Sequence, residues 1–117
     1  MASIISCDIH PLHNASVINR LRDMGTDKAD VAGWIGHWIV EGLAAVEALI
    51  GNRGFCFNQV GLADLFLVPQ IYAARQFNVD LTAFPKISRV ERVALERTAF
   101  RDIHPDAQSR TAMRAAL

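Results

Sequence analysis

The chain has 117 residues, of which 51% are hydrophobic and 21% are charged, and this composition excludes an intrinsically disordered protein. Twelve Lys and Arg residues balance twelve Asp and Glu residues, so the net charge gives no reason to expect a nucleic-acid or membrane partner. The sequence predicts no signal peptide and no apolar stretch long enough to span a bilayer. The two cysteines lie outside any Cys-x-x-Cys pattern and indicate reduced thiols, so we expect a cytoplasmic location.

The first predicted helix covers about residues 2–23. Ile5 and Ile9 share an apolar face, and apolar residues continue on that side after a change of angle. Pro11 lies inside this helix and cannot donate a hydrogen bond to the carbonyl of Cys7. We therefore expect a kink at this point.

The second predicted helix has the clearest periodicity of the chain. Apolar residues follow the i, i+3, i+4 pattern from Val31 to Ile50, for about five turns. Asp27 is the expected N-cap, with Asp30 three residues later. The Gly-Asn-Arg-Gly sequence at 51–54 is typical of a turn that ends a helix.

The third predicted helix, over residues 61–75, is apolar on nearly every side. Such a helix is expected at the centre of a helical bundle. Asp64 is placed to accept a hydrogen bond from the amide of Gly61 and to cap the helix start. Pro69 predicts a kink within this helix.

Two further helices complete the prediction. Pro85 opens one that carries Ile87 and Val90, and Pro105 opens a last one that runs to Leu117. The short apolar runs elsewhere are too few to form a sheet. The sequence therefore predicts an all-α bundle of about five helices.

Polar side chains cluster around the proline of the first helix. Cys7, His10 and Asn14 share one face at spacings of i, i+3 and i+7. A kink at Pro11 would open the backbone, so that His10, Asn14 and Ser16 could hydrogen-bond a polar ligand in a cleft. The alternative is that these residues form the solvated face of an amphipathic helix.

The same segment offers neither a metal site nor a catalytic group. His10 and His13 are one turn apart, but no further ligands follow at a suitable spacing, so we predict no metal site. Cys7 lies near His10, but nothing supplies an orienting group or an oxyanion hole. We therefore assign no catalytic residue to this chain.

Arg75 closes the apolar third helix and has two readings. A cation at a helix C-terminus is favoured by the helix dipole. An arginine can also bind a substrate carboxylate by two parallel hydrogen bonds. On position alone, the dipole is the simpler explanation.

Two segments carry a resemblance to a known family. Residues 7–14 (Cys-Asp-Ile-His-Pro-Leu-His-Asn) and 61–81, with its Val-Pro-Gln sequence, resemble the zeta-class glutathione transferases, which include maleylacetoacetate and maleylpyruvate isomerases. Such proteins have a thioredoxin-like domain followed by an all-helical domain. The resemblance implies that residues 1–117 form a single domain of the helical C-terminal type. It also implies that the thioredoxin-like half, with its catalytic serine, is absent from this chain.

The resemblance implies roles for particular residues. Glutathione is the implied cofactor, and His10, Asn14, Ala15 and Ser16 match the segment that lies beside it. Arg75 matches an arginine implicated in binding the substrate carboxylate. Two departures concern specificity, because His13 stands where relatives have Asn or Gln, and Ala15-Ser16 replaces a bulkier pair.

The implied activity belongs to the complete protein. It is glutathione-dependent cis–trans isomerisation of maleylacetoacetate or a related diacid, in a homodimer, and we expect this chain alone to be inactive. One alternative is a helical module that binds or dimerises without catalysis. Another is a truncated gene product that retains only the fold.

Overall fold

The computed structural model describes residues 1–108 of the chain, and most of these residues are helical. A π-helix (Ile4–Ile9) and a 3₁₀-helix (His10–His13) precede α1 (Ala15–Asp23), α2 (Lys28–Leu49), α3 (Leu62–Gln76), α4 (Pro85–Glu96) and α5 (Thr98–Asp102). The predicted all-α class is confirmed. No helix within the described part of the chain is both long and apolar enough to cross a membrane.

The first predicted helix is not continuous, so its expected extent was wrong. The amide of His10 bonds to the carbonyl of Ile5, five residues back, and the chain then winds more tightly through His13. Asn14 is extended, with φ −63° and ψ 146°, and it separates this segment from α1. The cause is Pro11, which has no amide to continue the helical pattern. Cys7, His10 and Asn14 therefore do not share one regular helix face.

Helix α2 forms as its periodicity predicts. The Asp27 side chain accepts a hydrogen bond of 2.8 Å from the amide of Asp30 and caps the helix. Further along, Gly42 is required by packing, because a Cβ atom there would lie 2.2 Å from Cγ1 of Ile9. The absence of a side chain at this position lets the π-helix pack closely against α2.

Helix α3 lies in the bundle but is not enclosed on every side. Its residues Leu67 and Ile71 are fully buried, as expected for a central helix. Leu62, Leu65 and Phe66 are nevertheless 65%, 54% and 38% exposed. The helix is therefore buried on one side only, because α4 and the π-helix cover only part of it.

Helix α4 begins at Pro85 and is capped from another helix. The two carboxylate oxygens of Glu47, on α2, accept hydrogen bonds of 2.8 and 2.9 Å from the amides of Lys86 and Ile87. These contacts satisfy amides that have no partner within the helix. After α5, residues 105–108 begin another helical turn, and the rest of the helix predicted to reach Leu117 lies outside the described residues.

Candidate functional site

A cavity of about 350 Å³ opens between the π-helix and α3. Its walls are mainly apolar, with three polar side chains among them. The lining residues are Ile5, Ser6, His10, Leu65, Phe66, Pro69, Gln70 and Ala73. A small apolar cleft with a few polar groups is typical of a site for a small organic ligand.

A buried polar pair lies beside this cavity. His13 is 6% exposed and Gln70 is 3% exposed. The Nε2 atom of His13 lies 3.0 Å from Nε2 of Gln70 and 3.3 Å from its Oε1. Burial lowers the pKa of His13 below its usual range, so the imidazole is neutral at neutral pH. His13 and Gln70, which are 57 residues apart in the sequence, thus contact each other in the fold.

The His13 ring also contacts other aromatic side chains. It meets the ring of His10 edge-on, with the ring centres 5.1 Å apart, and that of Phe77 at 5.3 Å. Within residues 1–108, no group of three or more His, Cys, Asp or Glu side chains is placed to hold a metal ion. The edge-on contact between the two rings packs His10 against His13 at the rim of the cavity.

The residues assigned to the glutathione side lie around the break in the helix. His10 is exposed and lines the cavity, whereas Asn14, Ala15 and Ser16 are exposed at the start of α1. Asn14 caps α1, and its Oδ1 accepts a hydrogen bond of 3.4 Å from the amide of Ser16. The structure therefore brings these residues into one short stretch, of which only His10 reaches the cavity wall.

Arg75 lies elsewhere on α3 and is already paired. Its Nε and Nη2 atoms donate to the two carboxylate oxygens of Glu91 on α4, at 2.9 and 2.5 Å. This contact raises the pKa of Arg75 above its usual value. Arg75 does not line the cavity that contains His10. A ligand carboxylate at Arg75 would have to use the two Nη1 donors and the second Nη2 donor, or displace Glu91.

Asp64 caps α3 and also holds the preceding loop. Its side chain is buried, and its two oxygens accept hydrogen bonds of 2.8 Å from the amides of Gly61 and Cys56. Burial and the nearby carboxylate raise the pKa of the Cys56 thiol to about 12, so this thiol is unreactive at neutral pH. The role of Asp64 is therefore structural.

Sequence reasoning did not find the His13–Gln70 pair. One signal was available, because Gln70 and Asp64 are the polar residues that interrupt the apolar stretch of α3. A polar residue inside a helix that is apolar on most sides is expected to be buried and to need a partner. The identity of that partner, 57 residues away, depends on the tertiary fold.

Comparison with known proteins finds clear relatives of this chain. No protein-family model matches the chain. It is 55% identical over 112 residues to the maleylacetoacetate isomerase of Pseudomonas aeruginosa, covering 95% of this chain and 53% of that protein. It is 43% identical over 114 residues to the maleylpyruvate isomerase of a Ralstonia species, covering 92% and 54%. The chain spans about half the length of the curated relatives it matches.

Solved structures give the same result. A holo structure of maleylpyruvate isomerase, a bacterial glutathione transferase of the zeta class, superposes with a TM-score of 0.85 at 42% identity, covering 91% of this chain and 53% of that one. The chain is homologous to the zeta-class glutathione transferases. The resemblance of residues 7–14 and 61–81 is thereby confirmed, and the described residues of the chain have an all-α fold like that of the matching half of these structures.

A second solved structure similar to this chain contains glutathione. The maleylacetoacetate isomerase of Anaeromyxobacter dehalogenans with glutathione bound in its active site has a TM-score of 0.83 at 34% identity. The match covers 91% of this chain and 50% of that one. The chain is therefore similar to a structure that contains glutathione, the cofactor expected from the sequence.

Proposed function

We propose that this chain is the helical half of a glutathione-dependent isomerase that converts maleylacetoacetate or a related cis diacid into its trans isomer. The observation that carries the proposal is the 55% identity to a maleylacetoacetate isomerase across 95% of the chain. The cavity supports it, because apolar walls suit an unsaturated carbon chain. In this proposal residues 1–117 act as one domain beside a thioredoxin-like half, in a cytoplasmic homodimer.

The polar residues around the helix break fit glutathione. A tripeptide presents carboxylates, amide N–H groups and carbonyls, and it needs both donors and acceptors. His10, Asn14 and Ser16 are exposed there and supply both kinds of group. The amide nitrogen of Asn14 and the hydroxyl of Ser16 have no protein partner within residues 1–108, while Ala15 offers its backbone. We assign these four residues to glutathione binding. Relatives have been solved with glutathione and with a dicarboxyethyl glutathione bound in the active site, which supports glutathione as the ligand.

The chemistry requires a nucleophile that leaves again unchanged. Bound glutathione supplies a thiolate that adds reversibly to the conjugated double bond, so that the bond can rotate before the thiolate departs. The residues of this chain bind and orient the diacid. The apolar walls of the cavity contact its carbon chain and exclude water from it. We assign Arg75, which lies outside this cavity, to one carboxylate of the diacid through the guanidinium donors that Glu91 does not use.

The test compares this chain alone with the same chain joined to the serine-containing thioredoxin-like half of a zeta-class enzyme. We expect the chain alone neither to retain glutathione nor to isomerise maleylacetoacetate, because a few exposed hydrogen bonds rarely exceed about millimolar affinity. The joined protein should do both. Turnover by the chain alone would contradict the proposal that catalysis needs the thioredoxin-like half. A fusion that folds but is inactive would contradict the proposed activity.

The role of Arg75 has its own test in the fusion. Arg75→Ala should raise KM for the diacid by roughly tenfold, the effect of losing one charge-assisted contact. Arg92→Ala is the matched control, since Arg92 is also paired with a glutamate, Glu96, on the exposed surface. Equal kinetics for the two variants would remove Arg75 from the site.

A second candidate function is a helical module that associates without catalysis. The observation that favours it is the uncovered apolar face of α3, formed by Leu62, Leu65 and Phe66. Exposed apolar patches often mark interaction surfaces. Sedimentation of the chain, combined with retention on glutathione resin, separates the two functions: self-association with no activity in the fusion would favour the module.

A further inference from the structure

The side-chain amide of Gln70 makes two contacts with a single atom. Both its Nε2, at 3.0 Å, and its Oε1, at 3.3 Å, face Nε2 of His13. A neutral imidazole nitrogen presents either one lone pair or one N–H group. Only one of the two contacts can therefore be a hydrogen bond at any moment, and the other half of the amide is unpaired.

The unpaired half always includes a donor. If the lone pair of His13 accepts from the amide, one of the two N–H groups of Gln70 remains. If His13 instead donates to Oε1, both N–H groups remain. No other protein partner of this amide is present within residues 1–108. A buried donor without a partner costs free energy, so it favours a partner from outside the protein.

The position of this donor determines what can reach it. Gln70 is 3% exposed and still lines the cavity between the π-helix and α3. Phe66, Pro69 and Ala73 line the same cavity and belong to the same helix. A ligand whose polar end reaches Gln70 would thus have its carbon chain against an apolar wall.

We propose that Gln70 is a binding residue of this cavity, where its amide donates a hydrogen bond to a carboxylate or carbonyl oxygen of an unsaturated carboxylic acid. His13 is a positioning residue, because its ring nitrogen holds the amide in place. The proposal deepens the proposed function, on which the choice of an unsaturated acid rests. The donor itself is defined by geometry alone.

The charges around the cavity favour an acid over an amine. No Asp or Glu is among its lining residues, so a carboxylate meets no like charge there. Ser6, His10 and Gln70 are the polar side chains among the lining residues, and each can donate a hydrogen bond to an oxygen. The cavity therefore combines an apolar wall with hydrogen-bond donors and has no carboxylate in its lining.

The experiment is a titration of the isotope-labelled 117-residue chain with crotonate, followed by the NMR signals of the Gln70 side-chain amide. We expect these signals to shift and to saturate at millimolar crotonate, and to shift much less with crotyl alcohol. Gln70→Met keeps the shape but removes the donor, and it should weaken crotonate binding roughly tenfold. Gln59→Met is the matched control, since Gln59 is exposed and outside the cavity, and it should bind as the parent does.

Several outcomes would overturn the proposal. Crotonate that shifts other cavity residues but not the Gln70 amide would show that another group binds the acid. Equal affinity for the parent and Gln70→Met would show the same. Should Gln70→Met fail to fold, the response of the amide signals in the parent chain decides the question.

The positioning role of His13 is tested separately, and none of these measurements depends on turnover. His13→Leu should broaden or shift the Gln70 amide signals before ligand is added, whereas His13→Gln, which retains a hydrogen-bonding partner, should preserve most of the crotonate affinity. Unchanged signals in His13→Leu would remove His13 from the proposal. Because no glutathione is present, a failure of the isomerase assay would leave these results intact.

Discussion

Two buried polar side chains on the same helix, Asp64 and Gln70, have opposite hydrogen-bonding states. Asp64 is 1% exposed, and each of its oxygens accepts a backbone amide at 2.8 Å. Gln70 is 3% exposed, but both halves of its amide face one nitrogen of His13. The fully satisfied group holds the fold together. The half-satisfied group, beside a cavity, is available to a ligand.

The difference follows from the position of each residue along α3. The first turn of a helix has backbone amides without partners, and Asp64 lies where it can accept from Gly61 and from Cys56 in the preceding loop. In the middle of a helix the backbone groups bond to one another. Gln70 therefore has to find its partner on another element, and its amide contacts the ring of His13 on the 3₁₀-helix.

The largest effect should come from Asp64→Ala, which leaves two buried amides without an acceptor. We expect the free energy of unfolding to fall by about 3 kcal/mol, measured by urea denaturation. Asp64→Asn keeps one acceptor oxygen and should lose about half as much. A loss below about 1 kcal/mol for the alanine variant would contradict the structural role of Asp64.

Removing the amide of Gln70 should cost less. Gln70→Met loses one neutral hydrogen bond and keeps the volume of the side chain, so we expect a loss of about 1 kcal/mol. Gln59→Met, on the surface, should leave the denaturation midpoint unchanged. If Gln70→Met were as destabilising as Asp64→Ala, the contrast between the two residues would fail and Gln70 would be structural.

The same two residues show how far the sequence could predict the structure. The bond from Gly61 to Asp64 is local, three residues apart, and capping rules predicted it. The second bond, from Cys56, depends on the path of the loop and was not predicted. Helices α2 and α4 were predicted because their apolar periodicity is regular and their starts carry Asp27 and Pro85.

The break at Asn14 was missed for a related reason. The spacing of apolar residues in the first helix indicates which residues face the core. It does not show where the backbone hydrogen bonds change from spanning five residues, as in the π-helix, to spanning three, as in the 3₁₀-helix. The burial of His13 depends on that change. Consequently the sequence indicated His10 as a ligand contact, which stays a prediction, and it did not indicate the buried pair of His13 and Gln70.

His13 should make stability depend on pH. Its pKa is lowered first by burial and then by the neighbouring His10, so the folded chain binds a proton less readily than the unfolded chain. The contribution of the neutral His13 side chain to stability is therefore fully present above the ordinary histidine pKa of about 6.5, and it is lost as the pH falls below that value. Unfolding midpoints between neutral and mildly acidic pH should show this decline. His13→Gln should reduce it, and His37→Gln, at an exposed position, should not.

The smallest effect is expected at the exposed end of α3, where Arg75 pairs with Glu91. The Arg75 side chain is 52% exposed, so solvent screens the pair, and Glu91→Gln should lower the free energy of unfolding by no more than about 0.5 kcal/mol. Glu96→Gln breaks the more exposed Arg92–Glu96 pair and should cost still less. In the fusion, however, Glu91→Gln frees the guanidinium and should lower KM for the diacid. A large stability loss with unchanged KM would instead make Arg75 a link between helices, as Asp64 is between helix and loop.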